Sequence, residues 1–297
     1  MGALTFGRRG GVLGALGASL LLLTGCSTDP AASKGTPAAE QTPAMRSSVG
    51  LHLPLQDYLY SDADLRTVKQ AMRTLTEKCM RRHKVTHDFG PPPPAMGPRS
   101  ITDRRYGLTD ARMARTTGYH LGDRDPRTHP VPERTPPTGK ALTVIAGTGS
   151  PTEVNGVRVP ARGCAGEAER EIVGSGRLGS SDLAQDLNGE SFTATKADPR
   201  VVKAFRAWSR CMKERGHAYP DPLAVMNDKR FQGNTPAPPE IEVATADVAC
   251  KARTDVTGIW YRAEVAYQKT LIARNEKALA AVREQKRDQL AAARAAG

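Results

Sequence analysis

The sequence lacks a hydrophobic run long enough to cross a bilayer. Its longest apolar run, residues 12–23, has about a dozen residues, whereas a transmembrane helix needs about 20. Arg8 and Arg9 precede this run. A basic start followed by a short apolar run is typical of a secretory signal peptide. We therefore predict that residues 1–25 are a signal peptide and not a membrane span.

Recognisable catalytic patterns are also missing. The chain has no Gly-x-Ser-x-Gly elbow, no paired Cys-His arrangement and no zinc-protease helix. Residues 174–179 match the dinucleotide-binding pattern in their letters, but a helix is predicted before them where that motif needs a strand. We interpret this segment as a flexible linker. The sequence thus predicts a protein that is not an enzyme and has no cofactor.

Metal-ligand patterns are weak. The cysteine spacings contain no Cys-x-x-Cys pair, which argues against a four-cysteine site. His83 and His87 are four residues apart and would share a helix face, with Asp88 as a third ligand. Because Phe89 and a glycine-proline pair follow, exposed polar residues at a helix end are the favoured interpretation. No metal site is predicted.

The apolar run ends in a cysteine-containing segment, residues 23–27, with Leu23, Gly25 and Cys26. This segment resembles the lipobox of bacterial lipoproteins, in which a small residue precedes the cysteine and a leucine stands three residues before it. In those proteins the signal is cut before the cysteine, whose thiol carries a diacylglycerol. The resemblance predicts a lipid anchor at Cys26 on the extracytoplasmic face of the cell membrane. An ordinary secreted protein with a cysteine near its cleavage site is the alternative.

Four further cysteines remain, and an even number outside the cytoplasm usually forms disulfides. Four cysteines allow three pairings, and their spacing alone does not choose among them. The residues concerned are Cys79, Cys164, Cys211 and Cys250.

A helix containing a Cys-Met pair occurs twice. The clearer copy lies in residues 198–222, where Asp198 suits the N-cap, Pro199 the first turn and Gly216 the C-cap. A fainter copy lies upstream, in residues 76–91. Each copy is followed by another cysteine at the head of a helical pattern. A diverged repeat therefore predicts the pairs Cys79 with Cys164 and Cys211 with Cys250.

Composition divides the chain into four parts. After the signal, residues 26–57 are predicted to be the lipidated cysteine and a disordered tether, because most of them are small, polar or proline. Residues 58–190 are predicted to form a first helical unit with proline-rich loops. Residues 191–297 are predicted to form a second helical unit with a long C-terminal helix, because no proline follows Pro239.

The predicted fold class is mainly α, a helical body of two disulfide-linked units with one small β-hairpin. The hairpin is predicted to pair residues 141–145 with residues 154–159, with Asn155 and Gly156 as a turn. The end of the C-terminal helix, beyond Asn275, is basic with sparse apolar residues. We expect it to project from the body or to fray.

Four segments carry a family resemblance: residues 105–108, 163–168, 208–214 and 250–260. They are similar to segments of a group of uncharacterised actinobacterial lipoproteins, and the likeness covers most of residues 58–275. The resemblance implies an exported, lipid-anchored chain. It transfers no catalytic or ligand residues.

The formal net charge is +12, and loss of Arg8 and Arg9 with the signal leaves +10. An exported, tethered chain meets anionic headgroups and wall polymers and not nucleic acid. The sequence therefore predicts a membrane-anchored extracytoplasmic lipoprotein with a structural or interaction role at the cell envelope. Its expected partners are the membrane, through lipid at Cys26, and an anionic wall polymer or an envelope protein. The alternative that the basic composition serves no partner stays open.

Two other functions stay open. A solute-binding lipoprotein of a transporter is disfavoured because the two α/β lobes that such proteins need are not predicted. A wall-active hydrolase would need a pocket with two nearby acidic residues or a metal.

Overall fold

The computed structural model describes residues 45–148, 152–174, 176–179 and 181–297. The signal peptide, Cys26 and the tether up to residue 44 lie outside the described residues. Helices dominate this part of the chain, which confirms the mainly α fold class. They are α1 (Asp62–Arg82), α2 (Ala111–Thr117), α3 (Gly139–Ala146), α4 (Gly163–Val173), α5 (Asp182–Lys196), α6 (Pro199–Glu214), α7 (Pro238–Thr254), α8 (Val256–Arg274) and α9 (Glu276–Ala296).

Short elements complete the fold. In the described part of the chain, three 3₁₀ helices span Pro54–Tyr58, Gly122–Arg124 and Lys229–Phe231. Two antiparallel strands, β1 (Glu153–Val154) and β2 (Val157–Arg158), form a hairpin. None of the helices in the residues described is both long and apolar enough to cross a membrane.

Local capping explains the bounds of α1 and α6. The Ser61 hydroxyl accepts a hydrogen bond from the Asp64 amide, and the Asp64 carboxylate accepts one from the Ser61 amide. The Asp198 carboxylate caps α6 by accepting from the Arg200 amide, and Pro199 occupies the first turn. The predicted start of α6 is confirmed.

The small hairpin forms, but the prediction that residues 141–145 are one of its strands is wrong. Asn155 and Gly156 make the turn at positive φ, as expected, between β1 and β2. Residues 141–145 lie instead within α3, whose C-cap Gly147 has a left-handed backbone conformation. Helical geometry buries Val144 against the cluster around Cys79 and Cys164. Packing on the bridge therefore outweighs the β-propensity of this segment.

The predicted tether ends earlier than expected. Residues 45–57 pack onto the helices, with Leu53 and Leu55 fully buried. The Leu55 amide donates to Gln268 Oε1 at 2.9 Å, and the Met45 amide donates to Asp255 Oδ1 at 2.9 Å. Leucines at the end of the otherwise polar segment supply enough apolar surface to order it.

The predicted long C-terminal helix is confirmed as α9, but two breaks divide the rest of the proline-free region into α7 and α8. Asp255 has φ +48° between α7 and α8, and Asn275 separates α8 from α9. Helix α9 then packs against α1 and α4, with Leu279, Leu290 and Ala293 buried. The expectation that this end projects or frays is therefore wrong, because its sparse apolar residues are buried against other helices.

The main core lies between α2, α6, α7 and α8, around the fully buried Trp208 and Trp260. The predicted boundary at residues 190/191 falls inside α5. Helix α2, from the first predicted unit, packs on α7, and α9, from the second, packs on α1. The described residues of both predicted units therefore form one packed body.

Candidate functional site

The four predicted bridging cysteines form two disulfides in the pairing that the repeat predicts. Cys79 in α1 joins Cys164 in α4 with a Cα–Cα distance of 5.5 Å, and Cys211 in α6 joins Cys250 in α7 at 5.7 Å. All four residues are fully buried. Each bridge thus links two helices at a point where they pack against each other.

The histidine pair considered as metal ligands is not brought together as a site. His83 is buried beside the first bridge, where a ring nitrogen and the sulfurs of Cys79 and Cys164 lie within 4.8 Å of one another. His87 instead makes a T-shaped ring contact with Phe89. Because the two sulfurs are bonded to each other, they provide no thiolate for a metal. We assign His83 a packing role against the bridge.

The segment 105–108, which carries part of the family resemblance, is the centre of a buried polar network. Arg105 and Tyr106 both bind the carboxylate of Glu264 in α8, the arginine through Nε and Nη2 and the tyrosine hydroxyl at 2.7 Å from Oε2. Ser191 also donates to Glu264, at 2.8 Å. Burial, followed by the nearby Glu264 charge, raises the pKa of Tyr106. The carboxylate therefore connects this segment to α5 and α8.

The next two residues of the segment accommodate a buried lysine. Lys251 Nζ donates to the Leu108 carbonyl at 3.0 Å and to Asp247 at 2.6 Å. Gly107 has φ +84°, and a Cβ there would lie 2.6 Å from Lys251 Nζ. Only glycine fits both the backbone conformation and the close approach.

Asp247 links this lysine to the tryptophan of α6. Its carboxylate accepts from Trp208 Nε1 at 2.9 Å and from the Tyr119 hydroxyl at 3.3 Å. Burial raises the pKa of Asp247 and lowers the pKa of Lys251, and their mutual contact opposes both shifts. A buried charge with three donors is a fully satisfied structural group.

A further network lies where α2 meets the start of α7. His120 Nδ1 is 3.1 Å from Asp125, and its Nε2 is 3.4 Å from Glu240. Arg127 donates to both oxygens of Asp125, at 2.8 and 3.0 Å. These hydrogen bonds hold the pKa of Asp125 well below its usual range. The Tyr119 amide donates to Glu240 at 2.8 Å, and this hydrogen bond joins the loop after α2 to α7.

We expect Asp125→Asn to lower the free energy of unfolding by about 2 kcal/mol at neutral pH, because hydrogen bonds to a charged carboxylate are lost. A carboxyl with a depressed folded-state pKa stabilises the fold above its unfolded pKa of about 3.9 and loses that contribution as pH falls further. The difference between wild type and variant should therefore shrink below about pH 4. Chemical denaturation across pH measures it, with the exposed Asp123→Asn as control. A pH-independent difference would contradict the assignment.

Two surface cavities of the described residues are each lined by two acidic side chains, the feature that a hydrolase would need. One is lined by Asp88 and Glu133, and the other, with a volume of about 350 Å³, by Asp103 and Asp123. Asp103 is already paired, because it accepts from the backbone amide and Nε of Arg99 at 2.8 and 3.1 Å. Arg112 and Arg124 line the same cavity. Its chemistry is that of a salt-bridged surface and not of a free carboxylate pair.

Helix α6 exposes a feature that the sequence analysis missed, four basic side chains on one face. We call Lys203, Arg206, Arg210 and Lys213 the basic row. Intervals of three and four residues keep them on one face, and the row is about 15 Å long at 1.5 Å per residue. Between residues 201 and 213 every exposed residue belongs to the row.

The row has no acidic partner among the described residues. The ion pairs nearest in sequence, Arg200 with Asp198 and Arg253 with Glu214, stand at its two ends. Like charges three or four residues apart on a helix destabilise it by about 0.2–0.5 kcal/mol per pair, so three such pairs cost about 1 kcal/mol. We therefore expect removal of these like charges to leave the stability of α6 unchanged or slightly higher.

An ordinary solvated helix face looks different in this protein. On α9 the exposed Arg287 pairs with Glu284 at 3.3 Å and with Asp288 at 3.0 Å. Charges of both signs alternate there, as on many surface helices. The basic row differs from such a face because its four exposed charges have a single sign.

Comparisons with known proteins found no relative of this chain. No protein-family model, no curated protein and no solved structure matches the chain. The likeness to actinobacterial lipoproteins stays a prediction from the sequence.

Proposed function

We propose that the protein is a lipoprotein anchored through Cys26 to the extracytoplasmic face of the cell membrane, where it has a structural or interaction role at the envelope. The observation that carries the proposal is the pair of buried interhelical disulfides in a chain that begins with a signal-like run. Disulfides of this kind persist in oxidising compartments outside the cytoplasm. The lipobox-like segment at residues 23–27 supplies the anchor.

The distance between anchor and body supports the same proposal. The packed body includes Met45, whose amide is bound to Asp255. Nineteen peptide links separate Cys26 from Met45, so covalent geometry limits the separation to about 65 Å. The body would thus act in the layer next to the membrane.

An interaction role fits the charges better than a catalytic one. The deep carboxylates of Asp247 and Glu264 are enclosed and bound by several donors. The basic row is exposed and unpaired among the described residues. A mainly helical body is also unlike the two α/β lobes of a solute-binding lipoprotein.

We expect Cys26→Ser to leave an unlipidated precursor that is uncut or poorly cut, because the thiol is the lipid acceptor. Metabolic labelling with a fatty-acid analogue and fractionation of cells expressing the variant measure this. Ser27→Ala is the matched control, and it should be labelled and retained like the wild type. Normal processing and membrane retention of Cys26→Ser would contradict the anchor.

A further inference from the structure

We propose that the basic row of α6 is a binding site for an extended anionic polymer of the cell wall, a linear chain with one negative group per repeat. The inference rests on the proposed extracytoplasmic location, since such a polymer is met there. It goes further by assigning the contact to four residues on one helix.

The geometry of the row suits a linear polyanion. Its charges follow one another at axial intervals of about 4.5 and 6 Å, which are shorter than the screening length of about 8 Å at physiological salt. Their potentials therefore add along the row. A polymer aligned with α6 gains several contacts at once and releases its condensed counterions.

The helix that carries the row is held rigidly. Trp208 is fully buried and bonded to Asp247, and Cys211 is bridged to Cys250. The Asp198 cap fixes the first turn. A preorganised site loses little conformational freedom on binding, which favours affinity.

The surroundings of the row favour a polymer over a membrane or nucleic acid. Membrane-surface helices insert apolar side chains beside their basic residues. The large exposed apolar residues of the described chain are elsewhere, at Leu65, Ile101, Val131, Leu142 and Leu178. Single-stranded nucleic acid is held by stacking on aromatic side chains, whereas Phe205 and Trp208 of α6 are buried.

The test compares two variants of equal net charge in residues 26–297, produced without the signal peptide and carrying Cys26→Ser. The row variant is Lys203→Gln, Arg206→Gln, Arg210→Gln and Lys213→Gln. The control variant removes four other exposed cations of α1 and α9, through Arg66→Gln, Lys69→Gln, Lys277→Gln and Arg294→Gln. The probes are poly(glycerol phosphate), polygalacturonate, single-stranded DNA, and vesicles of phosphatidylglycerol or phosphatidylcholine.

We expect the wild type to bind at least one of the two wall-like polymers, and the row variant to bind it about 100-fold more weakly at low salt. The slope of log affinity against log salt should fall in size by about 3, the value for four lost contacts with a single strand. The control variant should stay within about threefold of the wild type, because scattered charges contribute little at a distance. The melting temperature of the row variant should be equal to or above that of the wild type, because like-charge repulsion is removed.

Equal losses in the two variants would overturn the inference, because net charge alone would then explain the binding. So would tighter binding to anionic vesicles or DNA than to either polymer, or no binding of the wild type to either polymer. Polymer binding does not require the lipid. If polymer binding is absent but Cys26 is lipidated normally, only the proposed binding site on the basic row is overturned. If lipidation is absent but polymer binding is normal, only the proposed lipid anchor is overturned.

Discussion

Removing the bridge between Cys79 and Cys164 is expected to lower the free energy of unfolding by about 4.5 kcal/mol. The two residues are 85 apart in sequence, and the chain-entropy model gives a cost of this size for releasing such a loop. That is a large share of a total stability of about 5–15 kcal/mol. The variant is Cys79→Ala with Cys164→Ala, so that no free thiol is left. Urea denaturation measures the effect, and limited proteolysis should show that α1 and α4 loosen.

The second bridge provides the comparison. Cys211 and Cys250 are 39 apart, so Cys211→Ala with Cys250→Ala should cost slightly less, about 4 kcal/mol, and should loosen α6 from α7. Linked-peptide mass analysis of protein exported by its own host tests the pairing itself. Four free thiols, or Cys79 joined to Cys211 or Cys250, would contradict both the bridges and the repeat.

Replacing Glu264 with methionine is expected to cost about 3–5 kcal/mol, because the Arg105 guanidinium, on a side chain that is only 10% exposed, then has no opposite charge. The Tyr106 hydroxyl loses its acceptor at the same time, whereas Ser191 keeps the Asn188 carbonyl as an acceptor. Thermal and urea denaturation measure the loss. Glu171→Met on the exposed face of α4 is the control and should change stability by no more than about 0.5 kcal/mol.

A double variant separates the charge from the packing. Arg105→Met with Glu264→Met removes both members of the pair and should recover a good part of the loss seen with Glu264→Met alone, since an apolar pair of similar volume is often tolerated. A double variant as unstable as the sum of the two single variants would show that the ion pair is not what unites this segment with α8.

Local signals in the sequence predict much of this fold. Asp198 and Pro199 mark the start of α6 because capping depends on adjacent residues alone. The disulfide pairing follows from the order of helices and cysteines in a repeated unit.

Features that depend on distant partners could not be predicted in the same way. Nothing local distinguishes Asp247 and Lys251 from a surface pair four residues apart, because their burial depends on Trp208 and the carbonyl of Leu108. The break at Asp255 is also set by its surroundings, since an aspartate at positive φ has no reliable sequence signal. Residues 141–145 have a β-like composition, but the packing of Val144 makes them helical.

The basic row could be predicted from the sequence only in part. Its spacing of three and four residues is visible in the sequence, opposite the apolar stripe of α6. Whether other helices bring acidic partners to it depends on the tertiary fold. The structure places no such partner among the described residues, and this makes the row a candidate surface.

Mass analysis of the N-terminal tryptic peptide from protein purified out of its own host tests the anchoring most directly. Lys34 is the first tryptic site after Cys26, so the proposal predicts a peptide of residues 26–34 that begins at Cys26 and carries a diacylglycerol on its sulfur. An unmodified Cys26, or a mature chain that begins at another residue, would contradict a lipid-anchored protein.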